Sequence, residues 1–494
     1  MKTLSGPSLL IKKIPEYSLH VFFFIVFSLV SVLNHYYFRS SALDYGIVNQ
    51  ALFQFANFHP AVCTVLLQNV YAPYLGLHMS LWVPLVSPFY WIFGSYTLLW
   101  FQNAALIFCG IGIYKLASKL LKNEAFSLLI TLQFYLSFAI YSALAFDFHD
   151  NVIGACFVPW FFYFYSFDKK WQAGLCFLAI LISKENFAIW LPFIILGMVW
   201  VNKQFNYRQW AFPMAMILFS VIWFFAVSKY IMPALSPVGK FEQLSRFSHL
   251  GNNVSEIVKT IFTQPLKVFS LFYESHVQPD PEEIIKHELL FSLILSGGIA
   301  LIWKLEFLWM ILPLLMQKLW NKETAFWGIN YHYNIEFAPV IGIAIILMLY
   351  SIKSDKLKRI LLLTCLLGTG YITYSKMQHR VSVYYNEVNE NVFIKAHYKS
   401  ALPVNIILQG LGNIKSNDTV SAQTNLIPHL ANRDYIYHFP TIKNANIIAV
   451  LYPCESTYPL SQETYIALID SLKSSPFWEI NFQENTLLIL KRKE

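Results

Sequence analysis

The amino-acid sequence predicts a polytopic α-helical membrane protein of about eleven spans that ends in a small extracytoplasmic α/β domain. Of its 494 residues, 56% are hydrophobic and only 13% are charged, a balance that excludes a disordered chain and most soluble enzymes. Long segments lack Asp, Glu, Lys and Arg, and about 20 apolar residues in a helix cross the hydrocarbon core of a bilayer. From Lys376 onward the composition becomes mixed, and strand-like segments alternate with helical ones.

Basic residues set the predicted orientation. Lys2, Lys12 and Lys13 precede the first apolar segment and place the N-terminus in the cytoplasm by the positive-inside rule. The net charge of +8 comes from short basic clusters between apolar segments, which is typical of cytoplasmic loops rather than of a nucleic-acid-binding face. We therefore expect contact with membrane lipid and none with nucleic acid.

The predicted spans are the uncharged segments, counted so that the basic clusters between them fall on the cytoplasmic side. These lie at residues 18–38, 97–117, 125–144, 152–167, 171–183, 186–202, 209–228, 289–303, 305–319, 335–350 and 360–374. Lys184-Glu185 interrupts an apolar stretch, and we interpret it as the outer turn of a hairpin, because a single long span would reverse the side of every later basic cluster.

Two domains follow from these spans. Residues 1–375 form the predicted transmembrane domain, with external loops at 39–96 and 231–288, and residues 376–494 form the predicted extracytoplasmic α/β domain. Within that domain, strands are expected at 420–422, 435–438, 447–451 and 486–490, and a helix at 461–472.

Polar residues gather on the external side under this topology, and they are the candidate site residues. They are Asp44, His78, Asp147, His149, Asp150, Lys184, Glu185, His332 and Glu336, and His59 lies on the same side. An ionisable group at membrane depth is costly unless it faces protein or a water-filled cavity, so groups at the outer ends of spans indicate a site. Any one of them alone could also lie in ordinary interfacial water.

Asp44 is the candidate catalytic residue. It follows the first predicted span and is the only carboxylate before Glu124 in that part of the chain. A carboxylate at a helix exit can act as a general base for an acceptor hydroxyl, or can hold a metal or an amine. The alternative is a structural role as the N-cap of a surface helix beginning at Ile47.

Asp147, His149 and Asp150 form the pattern Asp-x-His-Asp in a predicted external turn. If the backbone is extended, the side chains of Asp147 and His149 point the same way. Two carboxylates and an imidazole can bind a divalent cation, although this spacing is not a specific metal signature and a plain polar turn is the alternative. No cofactor is therefore assigned, and a divalent metal stays open.

The remaining candidates are two pairs. Lys184 and Glu185 are either an ion pair at a span end or a cation, Lys184, that attracts phosphate. His332 and Glu336 stand four residues apart, so a helix would place them on one face. They are either a structural pair or an arm that reaches a phosphate or a sugar.

Three groups of residues carry a family resemblance. The first, the loop motif, is residues 43–50, Leu43-Asp44-Tyr45-Gly46-Ile47-Val48-Asn49-Gln50. The second comprises Gly76-Leu77-His78-Met79-Ser80, Phe146-Asp147-Phe148-His149, Lys184-Glu185 and Tyr331-His332-Tyr333. The third, the tail motif, is residues 420–430, with Val420-Ser421-Ala422 and Asn425-Leu426-Ile427-Pro428-His429-Leu430.

These motifs resemble a bacterial multi-pass membrane family of unknown function that is similar to the GT-C superfamily of membrane glycosyltransferases. The resemblance implies a protein of the bacterial inner membrane that takes a sugar from a polyprenyl-phosphate donor and transfers it to an extracytoplasmic acceptor in the cell envelope. It gives Asp44 the role of base or acceptor-positioning residue. The sequence departs from better-known members because Asp44 stands alone in its loop, which leaves metal dependence open.

Two other classes of function compete with this interpretation. A transporter or flippase could line a permeation path with the same polar residues, although paired halves and ionisable residues near mid-membrane, which are typical of transporters, are not found in the sequence. A non-catalytic envelope assembly protein is the other alternative.

Overall fold

The computed structural model describes residues 7–67, 70–204, 206–277, 284–452 and 456–493. Up to residue 235 its helices are α1 (Pro7–Tyr36), α2 (Ile47–Ala56), α3 (Tyr74–Leu77), α4 (Trp82–Val86), α5 (Tyr90–Phe93), α6 (Thr97–Leu121), α7 (Glu124–Tyr135), α8 (Phe138–Ala145), α9 (Asp150–Ser166), α10 (Lys170–Leu181), α11 (Phe187–Val201), α12 (Ala211–Ala226) and α13 (Met232–Leu235). Beyond it are α14 (Val254–Thr263), α15 (Pro265–Ser270), α16 (Ile284–Leu293), α17 (Ile299–Trp303), α18 (Leu305–Leu319), α19 (Phe337–Ser351), α20 (Asp355–Gln378), α21 (Glu387–Glu390), α22 (Val404–Gly412), α23 (Ile427–Leu430) and α24 (Gln462–Ser474).

Apolar helices occupy all the predicted spans. Within the described ranges, five stretches of helix are long and apolar enough to cross a membrane: Ile14–Tyr36, Trp82–Leu121, Ala211–Leu235, Ile284–Trp303 and Asp355–Gln378. The pair α7 and α8, bent by 41°, gives a sixth if it is one span, and α10, α11 and α19 are shorter apolar helices. The helical membrane architecture is therefore confirmed, while the count of eleven spans stays a prediction.

Helix ends follow from capping residues in the sequence. The side chain of Asn123 accepts a hydrogen bond from the Phe126 amide at the start of α7, and Ser354 accepts one from the Leu357 amide at the start of α20. Such caps satisfy amide groups that have no partner inside the helix. At Lys184-Glu185 the chain is not helical, since α10 ends at Leu181 and α11 begins at Phe187. Two helices, rather than one long helix, occupy this stretch.

The chain divides into two compact units. The first contains the residues up to Val30 together with Gln102–Ser228 and Phe241–Asn391, and the second contains Ser31–Phe101, Lys229–Lys240 and the residues from Val392 onward. The second unit therefore combines the loop predicted at 39–96 with most of the C-terminal segment predicted to be a separate domain.

The first unit is helical, and close approach of its helices depends on small residues. A Cβ atom on Gly154 of α9 would lie 2.0 Å from Cε2 of Phe187 and 2.9 Å from Cβ of Ser183. Glycine at this position lets α9 lie directly against the break between α10 and α11. That contact brings the Lys184-Glu185 segment beside the start of α9.

The second unit contains a mixed five-stranded sheet with strand order β4-β3-β5-β7-β6. Its strands are β3 (Val420–Ala422), β4 (Ile436–His438), β5 (Ile447–Leu451), β6 (Trp478–Glu484) and β7 (Leu487–Arg492), and a separate antiparallel pair is formed by β1 (Val62–Cys63) and β2 (Ala72–Pro73). Strand β3 is parallel to β4 and β5, whereas β7 is antiparallel to β5 and β6. The predicted C-terminal sheet is confirmed, and sequence analysis missed β6.

Both faces of this sheet are covered by apolar side chains. On one face, Ala422 and Ala449 pack with Ile407 of α22 and Ile427 of α23. On the other face, β5 and β7 pack against Tyr465 of α24 and its neighbours. Strands buried on both sides are nearly continuous runs of hydrophobic residues, as the sequence of β5 is.

Candidate functional site

The turn between α8 and α9 holds Asp147 and His149 in a fixed conformation. Gln102, a fully buried residue of α6, donates from Nε2 to the Asp147 carbonyl at 2.8 Å and accepts from the His149 amide at 2.9 Å. Asp147 has φ of 61°. His149 is extended, but the extended backbone assumed for the whole Asp147–His149 segment is wrong, because Asp147 adopts the left-handed region. The side chains of Asp147 and Asp150 are both buried.

The ring of His149 stacks on that of His332. Their centroids lie 3.5 Å apart with 18° between the planes. The ring centroid of Phe146 lies 5.1 Å from that of His149 and 3.9 Å from that of Tyr331. The sequence-predicted residues His149 and His332 are thus in direct contact.

Asn151 connects His332 to Glu336. Its Nδ2 donates to the His332 carbonyl at 3.2 Å and to Glu336 Oε1 at 2.9 Å. Helix α19 begins at Phe337, with Glu336 as its N-cap residue and His332 in the preceding turn. The prediction that His332 and Glu336 lie on one helical face is therefore wrong, and Asn151 rather than helical spacing brings them together.

Two lysines act on the buried carboxyl group of Glu336. Both Lys318 and Lys184 interact with it electrostatically. Lys318, in the last turn of α18, is buried and donates from Nζ to the Tyr333 carbonyl at 2.8 Å. Sequence analysis predicted Lys184 but missed Lys318. The signal in the sequence was weak, because Lys318 stands near the end of the predicted span 305–319, where a lysine can extend to water instead of needing a buried partner.

We group these polar residues of the first unit as the His–Lys cluster, defined as His149, His332, Lys184, Lys318 and Glu336. Asp147 and Asp150 flank it on the α8–α9 turn, and the buried Glu185 follows Lys184 directly. Ammonium and imidazole groups beside aromatic rings can donate hydrogen bonds to an anion such as a phosphate.

A metal site is not supported by the geometry. Across the part of the chain that the structure describes, no group of three or more His, Cys, Asp or Glu side chains could hold a metal ion. Asp147, His149 and Asp150 all fall within that part and do not form such a group.

Asp44 lies in the second unit, in a π-helical turn at Ala42–Gly46. It is half-buried, and Ser41 Oγ donates to its Oδ2 at 3.2 Å. Helix α2 begins at Ile47 with Gly46 as its N-cap residue and no side-chain cap. The N-cap alternative for Asp44 is therefore wrong. The carboxylate is held on a tight turn by its neighbours rather than used to cap a helix.

The loop motif and the tail motif are bonded to each other. Asn49 Nδ2 donates to the Pro428 carbonyl at 2.9 Å, and Asn425 Nδ2 donates to the Phe38 carbonyl at 2.7 Å. A Cβ atom on Gly46 would lie 2.6 Å from Cγ2 of Ile427, so only glycine permits this approach. Residues far apart in sequence thus hold the turn that carries Asp44.

A second pair of stacked imidazoles supports the same turn. The rings of His35 and His429 are parallel, with an interplanar angle of 1° and centroids 4.0 Å apart, and His429 Nε2 lies 3.0 Å from the His35 carbonyl. Burial lowers the pKa of His429 to about 4. His429 is therefore neutral at pH 7 and donates to the carbonyl.

His78, the remaining predicted residue, also belongs to the second unit. It follows α3, is half-buried, and its amide donates to the Tyr74 carbonyl at 3.0 Å. Its role in binding a substrate stays a prediction.

Comparisons with known proteins give a family and a structural likeness. No curated protein matches the sequence. The crystal structure of ArnT from Cupriavidus metallidurans bound to undecaprenyl phosphate is similar at 11% identity, with a TM-score of 0.49, over 95% of this chain and 97% of that chain. The sequence matches the family of predicted membrane proteins designated DUF2079 over residues 34–481. The chain belongs to this family.

Proposed function

We propose that this protein is a membrane glycosyltransferase that moves a sugar from a polyprenyl-phosphate donor to an acceptor outside the cytoplasm. The His–Lys cluster is the observation that carries the proposal. It combines Lys184, Lys318 and the stacked imidazoles of His149 and His332, which are donors suited to a phosphate ester. The sequence motifs that resemble the GT-C superfamily include residues of this cluster.

The chemistry that we assign to the cluster is stabilisation of the leaving group. When a sugar leaves a polyprenyl phosphate, the bond between the anomeric carbon and the phosphate oxygen breaks and its electron pair stays on the phosphate. The ammonium groups of Lys184 and Lys318 and the imidazole of His332 would stabilise the negative charge that develops there. The ring pair formed by His149 and His332 can supply or hold one proton in that step.

Asp44 is the proposed general base. Its carboxylate would accept the proton of the acceptor hydroxyl while that oxygen forms the new bond to the anomeric carbon. Two features support the role: Asp44 does not cap α2, and its turn is fixed by the tail motif. A fixed, half-buried carboxylate is suited to general-base catalysis because little reorganisation is needed when the proton is transferred.

Localisation and substrate positions follow as parts of the same proposal. We assign the protein to the bacterial inner membrane, with the N-terminus in the cytoplasm and the second unit's sheet outside. His78, Asp147 and Glu185 are the proposed sugar or lipid contacts besides the His–Lys cluster. The basic residues at the N-terminus support this orientation by the positive-inside rule.

The test is to purify the full chain with native lipids and to identify bound polyprenyl-phosphate sugars by mass spectrometry. We expect a bound donor lipid that copurifies in smaller amounts with Lys318→Met and with His332→Phe, and sugar transfer when an acceptor extract is added. Lys322→Met, which changes an exposed lysine, is the matched control and should retain the lipid. A wild-type protein that neither binds nor turns over such a lipid across a broad donor panel would contradict the proposal, and one that translocates it intact would favour a flippase.

A further inference from the structure

Helices α14 and α15 form a short helical hairpin whose start is defined by reciprocal capping. Asn253 accepts through its side chain from the Glu256 amide at 3.0 Å, and Glu256 Oε2 accepts from the Asn252 amide at 2.8 Å. Both bonds satisfy amide groups at the start of the helix. Helix α14 has ten residues and is therefore about 15 Å long, half of the roughly 30 Å needed to cross a bilayer.

The two helices expose several large apolar side chains, which we call the α14–α15 stripe. It consists of Val254, Val258, Phe262, Leu266 and Phe269. The first three lie at helical spacing, so they project from one face of α14. Phe262 is 80% exposed, Leu266 85% and Phe269 63%. Five large apolar side chains exposed within residues 254–269 indicate an interaction surface rather than ordinary scattered surface residues.

The part of the apolar face that adjoins the stripe is already occupied. Ile257 and Ile261 of α14 and Val268 of α15 pack in a cluster with Trp320, directly after the end of α18. The stripe is therefore additional to the apolar face that folds the hairpin. Its partner must be something other than this cluster.

A buried ammonium group fixes the orientation of the hairpin. Lys286 Nζ donates to the carbonyl of Leu271 at 2.5 Å, to that of Glu274 at 2.7 Å and to that of Leu319 at 2.9 Å. It also lies 4.1 Å from the centroid of the Trp327 ring. The carbonyl of Leu319 ends α18 and the other two follow α15, so Lys286 ties the hairpin to the end of α18.

Charge beside the stripe identifies its partner. The exposed side chains of Lys259 and Lys267 lie next to the stripe in sequence, and Thr263 and Ser255 continue the polar side of α14. Apolar residues on one side and lysines on the other are typical of helices that lie in the interface of a bilayer containing anionic lipid. In sequence the hairpin also stands between two stretches able to span a membrane, Ala211–Leu235 and Ile284–Trp303.

We propose that the α14–α15 stripe inserts into the headgroup region of the membrane that the chain spans. Phe262, Leu266 and Phe269 enter the boundary with the acyl chains, while Lys259 and Lys267 contact anionic headgroups. The hairpin is thus an interfacial anchor at the end of α18. This inference does not depend on the proposed transferase activity, and its test does not involve a sugar donor.

The experiment is depth-dependent quenching on the full chain in nanodiscs that hold one copy. Phe262→Cys is labelled with an environment-sensitive fluorophore in discs of phosphatidylethanolamine and phosphatidylglycerol, with and without brominated acyl chains. Thr263→Cys is the matched control, since it is the next residue, is exposed and faces away from the stripe. The unmodified chain, treated in the same way, gives the background from native thiols.

The label at position 262 should emit at shorter wavelength and be quenched several-fold more by brominated lipid than the label at position 263. Removing phosphatidylglycerol should weaken that quenching, and Lys259→Gln with Lys267→Gln should weaken it similarly. Equal quenching at positions 262 and 263 would overturn the proposal. A shifted emission at position 262 without quenching in single-copy discs would also overturn it, because protein rather than lipid would then cover the stripe.

Discussion

His149 and His332 lie ring on ring, with centroids 3.5 Å apart, although one precedes α9 and the other precedes α19. Replacing His332 by phenylalanine keeps an aromatic ring in the stack and removes the nitrogen atoms. We expect His332→Phe to lower the rate of sugar transfer by about ten- to a hundredfold, the effect of losing one buried hydrogen bond worth about 1 to 3 kcal/mol. The measurement is the single-turnover transfer rate with saturating donor.

The unfolding temperature of the variant distinguishes a role of His332 in sugar transfer from a purely structural role. The unfolding temperature of His332→Phe should stay close to that of the wild type, because the stack and the bond from Asn151 to the backbone carbonyl are kept. A variant that unfolds much earlier and transfers sugar normally would show that His332 serves the fold alone.

The second prediction concerns the buried charges of Lys318 and Glu336. Either Lys318→Met or Glu336→Gln should destabilise the protein by about 3 to 5 kcal/mol, because each leaves a buried partner without full compensation. The loss of unfolding free energy in the double variant should be clearly smaller than the sum of the losses in the two single variants. Chemical unfolding in detergent micelles measures this, and strictly additive losses would show that the two groups do not interact.

The third prediction concerns Lys286. Lys286→Met removes the donor that three backbone carbonyls share and should lower the free energy of unfolding by about 3 kcal/mol, since buried acceptors lose their hydrogen bonds. Lys322→Met, which loses only a bond from an exposed ammonium to Ser248, is the control and should change stability little. Equal stability of the two variants would show that the hydrogen bonds of Lys286 to the three carbonyls do not stabilise the protein.

Sequence patterns predicted helices better than the connections between them. Apolar segments such as that of α18 were correctly predicted as helices, because a membrane helix makes its backbone hydrogen bonds within its own segment and does not depend on neighbouring segments for them. The broken helix at Lys184-Glu185 and the strands β3 and β5 were likewise confirmed. The family resemblance rested on motif residues and agrees with membership in a family of predicted membrane proteins.

Turn geometry and long-range partners could not be predicted. The left-handed Asp147 and the nonhelical position of His332 depend on bonds from Gln102 and Asn151, which no local pattern reveals. Lys318 was missed because it stands near the end of an apolar segment, where a lysine usually extends to water. The attachment of the loop motif to the tail motif was missed because both were assigned to regions with separate folds.

The fourth prediction is a loss of stability at acidic pH that originates in His429. Burial lowers the pKa of folded His429 to about 4, below the usual value of 6.5, so the unfolded chain binds the proton more readily. The stabilising contribution is complete above pH 6.5 and is lost as pH falls from there to about 4. His429→Gln should reduce the slope of unfolding temperature against pH over this interval.

His438 provides an internal control for the comparison of wild type with His429→Gln. His438, whose pKa burial also lowers to about 4, stays in the variant, so part of the slope should persist. Thermal unfolding of wild type and His429→Gln in the same detergent at several pH values supplies the data. An unchanged slope in His429→Gln would show that this histidine does not couple protonation to folding.

The most direct test of the account is sugar transfer by Asp44→Asn under conditions where donor binding is measured on the same sample. We predict donor binding equal to wild type and a transfer rate lower by about 10² to 10⁴, the contribution typical of a general base. Asp434→Asn, which alters an exposed carboxylate of the same unit, should transfer at the wild-type rate. Transfer by Asp44→Asn at the wild-type rate would contradict the account.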